Sequence, residues 1–179
     1  MPDSALRAEL LRRVAVDQSV REQLVAAFRE GHRPDSALLA RLASVDADNT
    51  RWLAAIVARR GWPGRSIAGL DGADAAFVLI QHADADTAFQ ARALPLLDRA
   101  YREGEATGQQ LALLTDRVAT ARGAPQLYGT QADLVAGRAV PKPIGDSADV
   151  DARRATVGLP PLREYLHLLD SLNASLAQP

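Results

Sequence analysis

The chain carries three histidines, no cysteine, and carboxylates spread along its length. The lack of cysteine excludes thiolate nucleophiles, disulfides and cysteine-ligated zinc. Imidazole and carboxylate chemistry remain. His32 falls in the turn Gly31-His32-Arg33-Pro34, and His167 shares a helix face with Arg163, Asp170 and Ser171 that reads as solvated. His82 differs from both, because it closes the apolar run 75–80 and opens the acidic turn Ala83-Asp84-Ala85-Asp86. An imidazole titrates near ~6.5 and exchanges protons at neutral pH, so His82 is the candidate acid/base.

Further candidates are polar residues that helical spacing carries onto apolar faces. The stripe Leu10-Val14-Asp17-Arg21-Leu24-Phe28 steps by three or four throughout, so it takes Asp17 and Arg21 inward, one turn apart and able to pair. Asn49 precedes Leu53, Ile56 and Arg60 on one face, and Gln90 shares a face with Leu94, Leu97 and Tyr101. Each such group costs about 1–3 kcal/mol to bury without a partner. Asp17, Arg21, Asn49, His82 and Gln90 are therefore expected to line a common region, either as a rigid hydrogen-bond network or as a pocket that receives a ligand.

Metal chemistry is not expected. Asp46-Ala47-Asp48 and Asp84-Ala85-Asp86 have the alternating carboxylates of a calcium loop. Counted from either first aspartate, the sixth position lacks glycine and the twelfth lacks glutamate. No two histidines stand one turn apart as zinc ligands. Nucleophile-elbow, phosphate-loop and dinucleotide fingerprints do not occur, and no cofactor is implied.

The elements that must position these residues read as helices. Asp3 caps a first helix that Gly31 ends. A short helix runs from 35 or 36 through 42, and a third from 46–48 to Gly61-Trp62-Pro63, followed by a turn-rich loop over 64–71. The run 75–80 reads as a buried helix. Asp86 caps the next, to Arg102 with Pro95 inside, and Thr107 with Gln110 makes a capping box for another that ends at Gly123. Over 126–144 the pattern stops being helical, and a small hairpin or extended pair is expected there. Pro141 and Pro143 would lie on its unpaired edge. Asp149 caps a short helix, and Pro160-Pro161 starts the last, with Leu162, Leu166, Leu169, Leu172 and Leu176 inward. The expected fold is mainly α, a single helical domain over 1–179.

Of the residues, 47% are apolar, and the formal charge is −1. That combination opposes disorder and gives no bulk attraction to nucleic acid or to anionic membranes. Twenty arginines against one lysine, scattered among acids, read as compositional bias rather than an anion-binding patch. No apolar run approaches the ~20 residues of a membrane helix, no signal peptide is visible, and cytoplasm is the default location.

Taken in order, Asp17-Gln18 with Arg21, Asp48-Asn49, Gly61-Trp62-Pro63, Gln81-His82-Ala83-Asp84 and Phe89-Gln90 form a familiar set. It continues through Leu114-Thr115-Asp116-Arg117, Tyr128-Gly129-Thr130-Gln131, Pro143-Ile144, Arg153-Arg154, Val157-Gly158-Leu159 and Tyr165. The chain resembles an uncharacterised bacterial family known only as a domain of unknown function (DUF6624-like). The resemblance spans nearly the whole length, implies that Gln81-His82-Ala83-Asp84 and Tyr128-Gly129-Thr130-Gln131 are signature segments, and brings no activity with it.

Two functions fit. In the first, the chain is a small cofactor-independent enzyme with His82 as acid/base and Asp84 or Asp116 orienting it. Tyr128, Thr130 and Gln131 would donate hydrogen bonds to a substrate oxygen, with Gly129 letting the backbone approach. Arg21 or Arg117 would hold a carboxylate or phosphate, and Asp17, Asn49, Gln81 and Gln90 would line the site. The ligand would be a polar small molecule or peptide. In the second, the polar set is a structural network of a ligand-binding or protein-interaction module, with the hairpin edge near Val140 as a contact.

Overall fold

The computed structural model describes residues 2–176 and is 70% helical, with seven α-helices and one two-stranded antiparallel sheet. The mainly α fold expected from periodicity is the one observed. The chain forms two compact units, Met1–Ala106 and Thr107–Pro179.

The first unit consists of α1 (Ser4–Arg29), α2 (Ser36–Arg60), α3 (Arg65–Gln81) and α4 (Thr87–Arg102). Asp3 starts α1 by accepting the Leu6 N–H at 2.9 Å. The helix buries Leu6, Leu10, Asp17 and Val20, but Phe28, expected inward, sits in its last turn at 62% exposure. Two helices were expected over 35–60, and one continuous helix forms. Neither glycine nor proline interrupts that stretch, and a second start would repeat the cost of nucleation. Asp46 and Asp48, at the expected start of the third helix, lie inside α2 and pair with Arg21 and Arg13.

The 64–71 stretch is also more helical than expected. It forms a first turn of α3, broken at Gly69, whose φ of 74° and ψ of 170° lie where only glycine goes without strain. Beyond the break α3 is apolar on nearly every side, with Ala73, Ala75, Ala76, Phe77, Leu79 and Ile80 buried. It packs against α1, α2 and α4, as a helix without a polar face must. Asp86 caps α4 through the Phe89 N–H at 2.8 Å, and Pro95 lies inside the helix, both as expected.

The second unit consists of α5 (Gly108–Ala121), β1 (Ala132–Val135), β2 (Arg138–Pro141), a 3₁₀ turn (Ser147–Asp149), α6 (Val150–Thr156) and α7 (Leu162–Leu176). The Thr107/Gln110 capping box is present. Asp149 precedes α6 without a side-chain cap, because the chain enters through the 3₁₀ turn. Asp151 instead accepts the Leu162 N–H at 2.7 Å and starts α7. On α7, Leu162, Leu166 and Leu169 are half-buried and Leu172 is 50% exposed, while the side chain of Leu176 lies outside the described residues.

Along β2 the N–H positions facing away from β1 are 139, 141 and 143. Two are prolines, as expected of an edge, and the Ala139 N–H donates to Asp170 Oδ1 of α7 at 2.6 Å. The hairpin closes through Ala136-Gly137, at φ of 49° and 80°. A two-residue turn with both φ positive suits asparagine-glycine, and a Cβ at 136 works against it. Ala136→Asn should raise stability by about 0.4–1 kcal/mol. A urea midpoint that rises at unchanged slope checks this, and a midpoint that stays or falls contradicts it.

Candidate functional site

Asp17 lies in the middle of α1 with 0% of its surface exposed. A buried carboxylate needs donors, and three side chains supply them. Gln18 Nε2 donates to Oδ2 at 2.8 Å, Arg21 reaches both oxygens at 3.3 Å, and His82 Nδ1 lies 2.9 Å from Oδ2 and 3.1 Å from Oδ1. Arg21 extends further, with Nη2 donating to Asp46 Oδ1 at 2.7 Å. Asp17 and Arg21 come from α1, Asp46 from α2 and His82 from the C-terminal cap of α3, so three helices meet at one charge cluster.

His82 Nδ1 also lies 2.9 Å from Arg21 Nε, and it cannot donate to one group while accepting from the other. A lone pair on Nδ1 would face the two oxygens of a buried anion. A proton there makes a charge-assisted hydrogen bond, and the Arg21 Nε–H keeps Asp17 Oδ2 as an acceptor. The stable arrangement is therefore Nδ1–H toward Asp17, which leaves the lone pair on Nε2. No described residue takes Nε2, and the side chain is 19% exposed.

The charges act on one another. Burial pushes the Asp17 carboxyl up, but the hydrogen bond and charge of His82, with those of Arg21, outweigh it and hold the group below its ordinary value. For Asp46 the balance reverses. Burial, helped by the charge of Asp17, prevails over Arg21 and raises it. Gln18 and Arg21 also line an open groove of about 490 Å³ along α1, with Glu22, Val25 and Arg29 among its walls.

Gln90, Gln81 and Asp84 gather at the same end of α3. Gln90 is fully buried, and its Nε2 donates to the Ile80 and Gln81 carbonyls at 3.1 Å and to Asp84 Oδ1 at 3.3 Å. It thereby satisfies the carbonyls that a helix end leaves open, immediately before His82. Asn49 belongs to an adjoining cluster, where its Oδ1 accepts from Arg13 Nη1 at 3.0 Å. The Arg13 guanidinium also pairs with Asp48 and stacks 4.5 Å from the Trp52 ring. The structure thus joins Asp17, Arg21 and His82 directly, sets Gln81, Asp84 and Gln90 at the same helix end, and places Asn49 with Arg13.

Asp46, Gln18 and Arg13 escape the stripe argument. Read as one helix, α2 carries Asp46, Asn49, Leu53 and Val57 at steps of three and four, and that spacing would have turned Asp46 inward.

The remaining candidates lie in the second unit. Asp116 is fully buried, and it accepts the N–H groups of Leu127 at 2.7 Å, Tyr128 at 3.0 Å and Thr130 at 2.8 Å. Both its oxygens are thereby committed to backbone. The carboxylate that orients His82 is Asp17, in place of the expected Asp84 or Asp116. Gln131 N–H donates to Gln126 Oε1 at 2.8 Å, and Gln131 Nε2 donates to Thr130 Oγ1 at 3.0 Å. At Gly129 the space a Cβ would need is filled by Ile144 and Leu162 side chains, each 2.9 Å away, so side-chain packing rather than a ligand requires the glycine. Arg117 sits half-buried on α5 beside Asp116.

A family model matches residues 2–175 of the chain. The chain belongs to DUF6624, a family of unknown function. No curated protein and no solved structure matches this DUF6624 member. Among its described residues no helix is long and apolar enough to cross a membrane.

Two substitutions test the geometry. Asp17 has a folded pKa below its ordinary 3.8, so its stabilisation is complete above that value and is lost as pH falls through the folded pKa. Asp17→Asn should cost about 2–4 kcal/mol at neutral pH. The deficit relative to wild type should shrink below about pH 4. Asp46 titrates with the opposite sign but is present in both proteins. Urea titrations at several pH values decide, and a deficit independent of pH refutes the ion pairing. Asp116→Ala strands three amide N–H groups and should cost about 3–5 kcal/mol, with a loss below about 1 kcal/mol contradicting the loop's dependence on it.

Proposed function

We propose that the chain is a cofactor-independent acid/base enzyme acting on a polar small molecule or peptide, with His82 as the proton-transferring group and Asp17 holding it. One observation carries the reading: the His82 ring is fixed at Nδ1 by a buried carboxylate while Nε2 has no described partner. In that tautomer Nε2 takes a proton from a substrate, and the imidazolium that forms is stabilised by Asp17 until the proton is returned. The groove bordered by Gln18 and Arg21 supports a ligand site beside this dyad, because both residues also bind Asp17. Hydrolysis, cyclisation and isomerisation are the reactions such a dyad serves without a metal or a redox group. The near-neutral charge offers no pull toward nucleic acid or membrane, which favours a small partner molecule.

A second reading has its own support. Arg21 is already neutralised by Asp17 and Asp46, so it braces three helices rather than waiting for an anion. On that reading the cluster is structural and the chain is a binding or interaction module.

His82→Gln separates the two, since glutamine keeps a hydrogen bond to Asp17 but shuttles no proton. The protein is incubated with pooled polar metabolites and short peptides, and consumption is followed by mass spectrometry. Turnover of one substrate class should fall at least about a hundredfold in the variant, with melting within a few degrees of wild type. No His82-dependent turnover, together with a loss of about 1–3 kcal/mol in stability, assigns the cluster to structure.

A further inference from the structure

Arg154, on α6, is the largest fully buried side chain among the described residues, with 0% exposure. Its Nε donates to the Pro160 carbonyl and its Nη1 to the Tyr128 carbonyl, both at 2.6 Å, and the guanidinium lies 5.0 Å from the centroid of the Tyr165 ring. Its Nη2 has no acceptor. A guanidinium stays charged in proteins, and burying that charge is costly without an anion in contact. The nearest carboxylates do not provide one. Asp116 and Asp151 act on Arg154 only through space, since Asp116 is committed to loop amides and Asp151 accepts the Leu162 N–H. Burial pushes the guanidinium pKa down, as expected of a cation whose hydrogen-bond acceptors are neutral carbonyls.

Arg154 is also among the residues that line a partly open cavity of about 170 Å³, all of whose lining residues belong to the second unit. Leu113 of α5, Leu159 and Pro160 of the turn before α7, and Leu168 of α7 give it apolar walls. Tyr165, whose hydroxyl donates to the Thr130 carbonyl, and Gln109 add polar groups to the lining, as does Thr130. The Thr130 Oγ1 accepts from Gln131 Nε2, which leaves the hydroxyl proton free to donate. A charged donor, neutral donors on Thr130 and Gln109, and no carboxylate therefore line this small cavity among its apolar walls.

We propose that this cavity binds a small aliphatic carboxylate, with its head on Arg154 Nη2 and the Thr130 hydroxyl and its short tail among Leu113, Leu159 and Leu168. The unpaired Nη2 belongs to a cation, and its hydrogen bond to a carboxylate is charge-assisted and stronger than one to a neutral acceptor. The volume admits roughly four to six non-hydrogen atoms, at about 30 Å³ for each water-sized group. The apolar walls favour a hydrocarbon tail over phosphate or sulfate, whose remaining oxygens would lie against those walls.

Sodium butyrate is the probe, titrated into uniformly ¹⁵N-labelled protein and followed by amide spectra. Butyramide, of the same shape and without charge, is the control, and sodium phosphate is the second. Butyrate should give saturable shifts at the Thr130, Leu159 and Leu168 amides and at the Arg154 Nε–H. It should bind at least about tenfold more tightly than either control, because butyramide brings no negative charge to the guanidinium and phosphate must desolvate further oxygens against the apolar walls. Arg154→Met removes two carbonyl contacts and risks the fold, so Leu113→Phe is the informative variant: it fills the chamber and leaves Arg154 in place. That variant should lose butyrate binding at least about tenfold while its melting temperature does not fall. Equal binding of butyramide, equal or tighter binding of phosphate, wild-type affinity in Leu113→Phe, or an absence of saturable shifts overturns the proposal.

Discussion

Asp17 places a negative charge in the middle of a 26-residue helix and closes it off from water. Removing that charge from solvent costs several kcal/mol, and only close donors make the arrangement stable. Those donors fix the geometry of the first unit. Arg21, one turn further on, must reach back to Asp17 and across to Asp46, which sets the register of α1 against α2. His82 must present Nδ1, so α3 has to end where its cap brings the ring against α1. Gln90 secures that end by bonding the last carbonyls of α3 from α4. The apolar packing around α3 supplies cohesion without direction, whereas this cluster determines which residues face one another.

The second unit applies the same constraint to backbone. Residues 126–131 have little regular structure, yet their polar groups are satisfied from both sides. The Tyr128 N–H goes to Asp116 and its carbonyl to Arg154; the Thr130 N–H goes to Asp116 and its carbonyl to the Tyr165 hydroxyl. Gln126 acts as a third clamp, bonding both the N–H and the carbonyl of Gln131 and the carbonyl of Lys142. A buried loop must account for each N–H and C=O: residues 126 and 131 pair with the 142–145 backbone, and between them side chains of α5, α6 and α7 take the place of a neighbouring strand. Rigidity in this loop therefore comes from charged and amide side chains rather than from a hydrophobic core.

The helices were legible because periodicity and caps are local. Asp3, Asp86 and the Thr107/Gln110 box act over three residues, and each works as expected. The errors come where a side chain had a distant alternative. Asp46 and Asp48 resemble caps until Arg21 and Arg13 are known to stand opposite, and Asp149 resembles a cap until the 3₁₀ turn before it is seen. In the site, helical spacing brought Asp17, Arg21 and His82 to one place because all three interrupt apolar stripes. It could not say which carboxylate serves His82. Asp84 is two residues from His82 and Asp17 is sixty-five away, so sequence distance favoured the wrong partner. Arg154 was invisible as a buried cation, because arginine is common on exposed faces and α6, at seven residues, shows too little periodicity to place it.

Burial alone does not distinguish a functional polar residue from a structural one in this fold. Asp116 and Asp17 are equally inaccessible, and both have their oxygens filled by donors from the chain itself. What separates the groups is the capacity left over once the fold has been satisfied. Asp116 has none, so it holds a loop. Gln90 leaves Oε1 without a donor and Asn49 leaves Nδ2 without an acceptor, but neither carries a full charge or exchanges protons near neutrality. His82 and Arg154 differ in kind. One keeps a free ring nitrogen beside a groove-lining arginine, and the other keeps a charged donor on a small cavity with apolar walls. Unspent capacity of that sort is costly to maintain in a folded chain. On the two proposals above, that capacity is taken up by a proton at His82 and by a carboxylate at Arg154.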